Sequence, residues 1–215
     1  MAADPDRKSA CHRSATFIPE RHEAVKKPKS GYPGKLRIIG GRWRGRRLSV
    51  PESEGLRPTP DRVRETLFNW LQPYLAGASC LDLFAGTGAL CLEALSRGAG
   101  HVVMVEQAAL VADRLRRTLE MLDAENAIVV RADAVEYLRQ APQAFDIIFL
   151  DPPFRSDLIA RCADMIEAQG WIKPGGLIYV EAPSRIMSLP LPATWELIRS
   201  KEAGQVGYHL AQKTG

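Results

Sequence analysis

The sequence predicts an α/β fold: a mostly parallel sheet with helices on both faces, an antiparallel C-terminal hairpin at one edge, and a basic β-hairpin ahead of it all. Three observations carry this expectation. Between residues 80 and 181, short apolar runs alternate with amphipathic stretches, the pattern of parallel strands covered on both faces. The last 25 residues hold two further strand-like pieces, near 195–200 and 206–212, with "EAGQVG" between them. Ahead of the alternating region, "KLRIIGGRWRGRRLSVP" reads as two strand-like runs around Gly40-Gly41. A chain of 215 residues has room for one α/β domain of about 150 residues and an appendage, so one fold must supply both chemistry and recognition.

Taken in order, residues 1–33 are polar, Lys- and Pro-containing and without periodicity, and are expected to form a flexible tail. Residues 34–58 form the basic hairpin extension, and residues 59–215 the main domain. In "GLRPTPDRVRETLFNWLQP", Thr59 can cap a helix and Pro60 suits its first position. Val63, Leu67, Trp70 and Leu71 share one face, which leaves Arg62 and Arg64 elsewhere, and the helix closes before Pro73. Strands follow at 80–84, 101–105, 127–131, 145–150 and 176–181, with helices at 88–97, 108–122, 134–140 and 157–168.

A composition of 46% hydrophobic and 25% charged residues excludes a disordered or fibrous chain. No apolar run approaches the roughly 18 residues of a membrane helix. Four acids before residue 24 and no apolar core argue against a secretory leader, so a cytoplasmic location is expected. Cys11, Cys80, Cys91 and Cys162 make neither a CxxC pair nor a dense disulfide framework, and read as free thiols. The four histidines form no zinc spacing with them, so no metal is expected.

Charge is uneven. The formal net charge is +4, yet residues 1–66 carry 16 Lys/Arg against 8 Asp/Glu, while the remainder carries 13 against 17. A basic arm on a mildly acidic body points to a polyanionic partner. Lys35, Arg37, Arg42, Arg44 and Arg46, with Arg57, Arg62 and Arg64 beyond, are the candidate phosphate contacts. Trp43 can stack on a base or pin the hairpin to the domain, and pinning is the preferred reading.

In such sheets ligands bind beyond the carboxyl ends of the strands. After the first run comes "DLFAGTG", where Gly86 and Gly88 allow a tight turn and close backbone approach to a ligand. Asp82 lies inside an apolar strand, a buried cost that a cationic or polyhydroxyl ligand would explain. The second run ends in Glu106, placed to accept bonds from ribose hydroxyls or to serve as a helix N-terminal acid. The third ends near Asp133, which can meet an adenine amino group or cap the next helix. GxxxxGK[ST] is absent, so the constellation describes an adenosine-containing ligand without a P-loop. The fourth run ends in Asp151-Pro152-Pro153-Phe154. Two prolines fix an extended turn without N–H groups, so the Asp151 carboxylate and the Pro152 carbonyl can each accept a hydrogen from an exocyclic amine, with Phe154 stacking on its ring.

At this point the chain resembles the class I S-adenosylmethionine-dependent methyltransferases. "DLFAGTG", Glu106, Asp133 and "DPPF" stand at that family's successive motif positions. More narrowly, "RIIGGRWRGRRL", "GLRPTPDRVRETLFNWL", "LDLFAGTGALCLEALSRGA" and "LIYVE" are similar to the RsmD family of bacterial 16S rRNA (guanine-N2)-methyltransferases, over about residues 35–212. The resemblance implies a Rossmann-like, seven-stranded class I methyltransferase fold and S-adenosyl-L-methionine as cofactor. It implies Phe84, Thr87, Gln107 and Ala134 as further cofactor contacts beside Asp82, Gly86, Gly88, Glu106 and Asp133. As substrate it implies guanine 966 of 16S rRNA. A single-domain reader with one short arm is expected to meet it within an assembling 30S particle, a monomer is the default expectation, and the lack of a long apolar run leaves no membrane partner expected.

Two enzyme readings compete. An NAD-dependent oxidoreductase would accept Asp82 and Glu106, but Cys91 replaces the third fingerprint glycine and DPPF has no hydride role. An N6-adenine methyltransferase acting on DNA or RNA fits the DPPF chemistry equally, since that motif suits any exocyclic amine. A non-enzymatic RNA-binding protein on a dead methyltransferase fold would be expected to have lost Asp151 or Gly86, and both are present.

Overall fold

The computed structural model describes residues 35–49, 59–153 and 157–215. Within them the alternating pattern becomes a seven-stranded sheet flanked by five helices. The strands are β3 (Ser79–Asp82), β4 (His101–Glu106), β5 (Ala127–Arg131), β6 (Phe145–Leu150), β7 (Ile172–Pro183), β8 (Trp195–Ala203) and β9 (Val206–Lys213). Their order across the sheet is β5-β4-β3-β6-β7-β9-β8. The first five run parallel, and β9 pairs antiparallel with both β7 and β8. Among the described residues no helix is long and apolar enough to cross a membrane.

Strand alternation sorts the core into two layers. On one face Cys80, Met104, Ile147, Phe149 and Tyr179 pack with α1 (Asp61–Leu71), α2 (Ala89–Ser96) and α3 (Ala109–Met121). On the other, Leu81, Val103, Ile148 and Val180 pack with α4 (Ala134–Leu138) and α5 (Leu158–Gln169). Cys80, Cys91 and Cys162 are free and buried, and burial pushes Cys80 and Cys162 up to about 12.

The basic hairpin pairs β1 (Lys35–Arg37) with β2 (Arg47–Ser49) in antiparallel register. Its strands are shorter than the sequence runs, because Gly41–Trp43 form a 3-10 turn rather than continuing the ladder. Leu36, Ile38, Trp43 and Leu48 are buried in the same core as α1 and α2. At about 1.5–3 kcal/mol per buried side chain, this burial ties the hairpin firmly to the domain. Trp43 is 6% exposed, and its backbone N–H donates to Ser96 Oγ at 3.0 Å, so it pins the hairpin.

Glu93, fully buried in α2, fastens the same element. Its carboxylate accepts the backbone N–H groups of Ile39 and Gly40 at 2.8 and 2.7 Å and the Arg97 Nε–H at 2.7 Å. Gly41 lies so close to α2 that a Cβ there would stand 1.8 Å from the Ser96 carbonyl oxygen, and its φ is +73°.

Three local expectations are corrected. Pro60 occupies the N-cap of α1 rather than its first turn, and the Thr59 side chain bonds Glu181 instead of capping the helix. The strand expected at 176–181 extends to Ile172–Pro183, because Ile172 pairs with Phe145 of β6 at one end and Leu177–Pro183 pair with β9 at the other. The run at 80–84 leaves the sheet after Asp82, since the chain turns there into the glycine loop. The proposed tail at 1–33 lies outside the described residues.

Candidate active site

Five acids mark the carboxyl edge of the parallel strands. In sheet order they are Asp133, Glu106, Asp82, Asp151 and Glu181, each within two residues of the carboxyl end of its strand from β5 to β7. The three on β3, β6 and β7 converge on one cleft of about 650 Å3. Asp82, Phe84, Gly86, Thr87, Asp151, Pro152 and Pro153, all anticipated from the sequence, line it. Thr59, Glu181 and the β8–β9 turn at Gly204 and Gln205 complete its wall.

Register explains the convergence. Asp82 pairs with Phe149, Phe149 with Tyr179, and Leu150 with Val180. Side chains two positions apart share a face, so Asp82, Asp151, Tyr179 and Glu181 all belong to the α1–α2 side of the sheet. Asp82 is 2% exposed and accepts the Phe84 N–H at 3.1 Å and the Cys91 thiol at 3.3 Å. Burial, reinforced by the carboxylates of Glu106 and Glu181, still pushes it up to about 7. Asp151 is raised well above the ordinary carboxylate range by burial and then by Glu181 and Asp82. Glu181 is raised by burial, against the hydrogen bonds it accepts from Tyr179 Oη, at 2.7 Å, and from Thr59.

The glycine loop joins β3 to α2. Gly86 and Gly88 have φ of +49° and +75°, in the left-handed region that favours glycine, and a Cβ on Gly88 would press on Leu115 Cδ2 at 2.7 Å. Glu106 steadies this loop: one carboxylate oxygen accepts the Gly86 N–H at 3.0 Å and the other the Ala108 N–H at 2.7 Å. Asp133 caps α4, with Oδ1 accepting from Val135 and Glu136 at 2.9 and 3.2 Å. Gln107 is exposed beside Glu106, and Ala134 is buried beneath Asp133. An acid-lined cleft meeting a glycine loop with two left-handed backbone positions fits a cationic, polyhydroxyl nucleoside ligand.

Of the candidate phosphate contacts, Lys35, Arg37, Arg42, Arg44, Arg46 and Arg62 are exposed. Arg37 also reaches Asp61 at 3.1 Å, and Arg42 lies over the Trp43 ring at 4.0 Å. Arg64 is a correction. It is 1% exposed, bonds Asp61 at 2.7 Å and the Arg37 carbonyl at 2.8 Å, and faces Glu93, so it holds the hairpin and is not available to a phosphate. Arg57 and Phe154 lie outside the described residues. Among the described residues, no three His, Cys, Asp or Glu side chains converge as metal ligands.

Glu181 and Thr59 were missed as site residues, although a signal existed. Glu181 is an acid inside the apolar run "LIYVEAP", the same anomaly that singles out Asp82.

A family model described as conserved hypothetical protein 95 matches residues 36–212. Ribosomal RNA small subunit methyltransferase D of Escherichia coli (strain K12) is 49% identical over 189 residues, covering 88% of this chain and 96% of that protein. A solved structure described as putative methyltransferase yhhF from Escherichia coli superposes with a TM-score of 0.78 at 49% identity, over 85% of this chain and 99% of that one. SMU.776, a putative methyltransferase complexed with SAH, shares the fold alone, with a TM-score of 0.64 at 19% identity over 85% of this chain and 57% of that one. The five-acid sheet edge and the hairpin fastened to α2 thus sit within a match spanning nearly all of the described chain, and the chain belongs to the family of ribosomal RNA small subunit methyltransferase D.

Proposed function

We propose that this protein is an S-adenosylmethionine-dependent rRNA methyltransferase that modifies the exocyclic N2 amine of a guanine in 16S rRNA, guanine 966 by resemblance. The observation that carries the reading is the meeting of Asp151-Pro152-Pro153 with Asp82 and the Gly86 loop in one cleft. Asp82 and the glycine loop would hold the cofactor's methionine end, and Glu106 and Asp133 its ribose and adenine. Glu106 and Asp133 each retain carboxylate lone pairs beyond the backbone bonds they already accept. When bound, S-adenosylmethionine supplies an electrophilic methyl group on a cationic sulfur.

The chain's own task is to prepare the amine. Guanine N2 shares its lone pair with the ring and is a poor nucleophile while planar. The Asp151 carboxylate and the Pro152 carbonyl, by accepting its two N–H bonds, favour a pyramidal nitrogen whose lone pair faces the methyl group. The bound cofactor would supply the methyl group and retain the electron pair of the broken C–S bond, so the methylated N2 would be acidic. Asp151 takes the released proton, and its raised proton affinity, from burial and from Glu181 and Asp82, suits that role. The target base must be unpaired or flipped to reach the cleft.

The exposed cations of the hairpin would bind the RNA backbone. Glu93 and Ser96 on α2 link that hairpin to the helix that begins at the glycine loop, which holds the RNA-binding element in fixed relation to the chemistry. An assembling 30S particle is the proposed form of the substrate. Nucleoside mass spectrometry after incubation with 16S RNA, 30S particles and DNA tests the reading. N2-methylguanosine at one site supports it, whereas N6-methyladenosine or no product refutes it.

A further inference from the structure

We propose that Glu181 is the residue that makes the cleft specific for guanine, accepting the N1–H of the target base while Asp151 accepts from its N2 amine. The inference rests on the guanine-N2 reading above and deepens it.

The argument begins with what the cleft lacks. Its described lining contains three carboxylates, Asp82, Asp151 and Glu181, and no Lys or Arg. Glu181 is 4% exposed, yet it lies at the cleft wall rather than behind it. Its strand neighbours bring it beside Asp151, since the Leu150–Val180 pair immediately precedes both in parallel register. Tyr179 and Thr59 each donate a hydrogen bond to it and fix the carboxylate in place, but a carboxylate offers about four acceptor sites, so capacity remains for a ligand.

Such a wall presents acceptors and calls for a base edge made of donors. Guanine supplies one, with N1–H and N2–H pointing the same way side by side. Adenine presents a lone pair at N1 next to its amine, which would face a buried carboxylate and be repelled. The DPP turn alone grips any exocyclic amine. A second acid one strand away, aligned by register, reads the neighbouring ring position and separates the two purines.

The test uses RNA in which the target guanine is replaced by 2-aminopurine, which keeps the N2 amine but carries a lone pair at N1, or by N1-methylguanine, which blocks the N–H. Wild-type enzyme should methylate guanine about 10–100-fold more efficiently in kcat/KM than either analogue, as expected for a hydrogen bond to a charged group. In Glu181→Gln the guanine substrate should lose most of that advantage, while 2-aminopurine is unchanged or improved because the amide can donate to its N1. A structural role would lower both substrates together and leave the ratio intact, which overturns the proposal. Should Glu181→Gln fail to fold, the wild-type comparison still decides: equal turnover of guanine and both analogues refutes it. Absence of N2-methylguanosine from wild-type enzyme on the guanine RNA would instead refute the parent reading.

Discussion

Glu93 offers the sharpest test of how the hairpin is held. Glu93→Ala removes a fully buried carboxylate that accepts two backbone N–H groups, at 2.7 and 2.8 Å, and the Arg97 guanidinium at 2.7 Å. It also takes from Arg64, which is 1% exposed, a carboxylate 3.7 Å away, leaving Asp61 as its remaining acidic partner. Removing one partner of a buried ion pair costs about 3–5 kcal/mol, because the remaining charge has no water to turn to. In a domain of this size each kcal/mol lowers Tm by about 2–4 °C, so the loss should be roughly 6–20 °C. Glu93→Gln, which keeps one acceptor oxygen, should lose less. Differential scanning calorimetry measures the change, and amide hydrogen exchange at Ile39 and Gly40 locates it. A shift within about 2 °C, with both amides still protected, would refute the assignment of Glu93 as the hairpin's anchor.

Four further outcomes are expected. Asp151→Ala should lower turnover by about 10²-fold or more while cofactor affinity stays within a few-fold, and normal methylation would end the proposed role of that carboxylate. Gly41→Ala should destabilise the protein by more than about 1 kcal/mol, since its φ of +73° and the 1.8 Å approach to the Ser96 carbonyl oxygen penalise any Cβ; an unchanged urea midpoint would contradict this. The Asp82 carboxyl is raised from 3.8 to about 7, so its contribution to stability is fully present below about pH 4 and is lost progressively as pH rises to about 7, because the unfolded chain releases that proton first. Asp82→Asn should therefore gain stability relative to wild type between about pH 4 and 7, and a pH-independent difference in unfolding free energy would argue against the raised value. Six exposed cations between Lys35 and Arg47 should give RNA binding a salt slope near −4, and a flat response in filter binding would remove the hairpin from the RNA interface.

Two halves of the proposed chemistry meet through α2. Its first turn follows the Gly86–Gly88 loop, and its last turn carries Glu93 and Ser96, which grip the hairpin. An eight-residue helix is a short connection, so about 12 Å of helix separates the hairpin's anchors from the glycine loop.

The sequence alone determined the elements and most of the sheet edge. Strand and helix periods are local properties, and they place Asp82, Glu106, Asp133 and Asp151 at successive strand ends without any knowledge of the fold. Glycines at 86 and 88 were equally legible, because a left-handed turn needs them wherever it is embedded. Tertiary structure decided which of these residues meet. The order β4-β3-β6-β7 sets Asp151 next to Glu181, thirty residues on, and divides the five acids between one cleft and the edge beside it. It also turned Arg64 inward, where periodicity had placed it off the buried face, because Asp61, Glu93 and the Arg37 carbonyl offer partners that solvent would otherwise supply. Strand order and register depend on which apolar faces find each other across the whole chain, and that packing free energy is not written in any window of neighbouring residues.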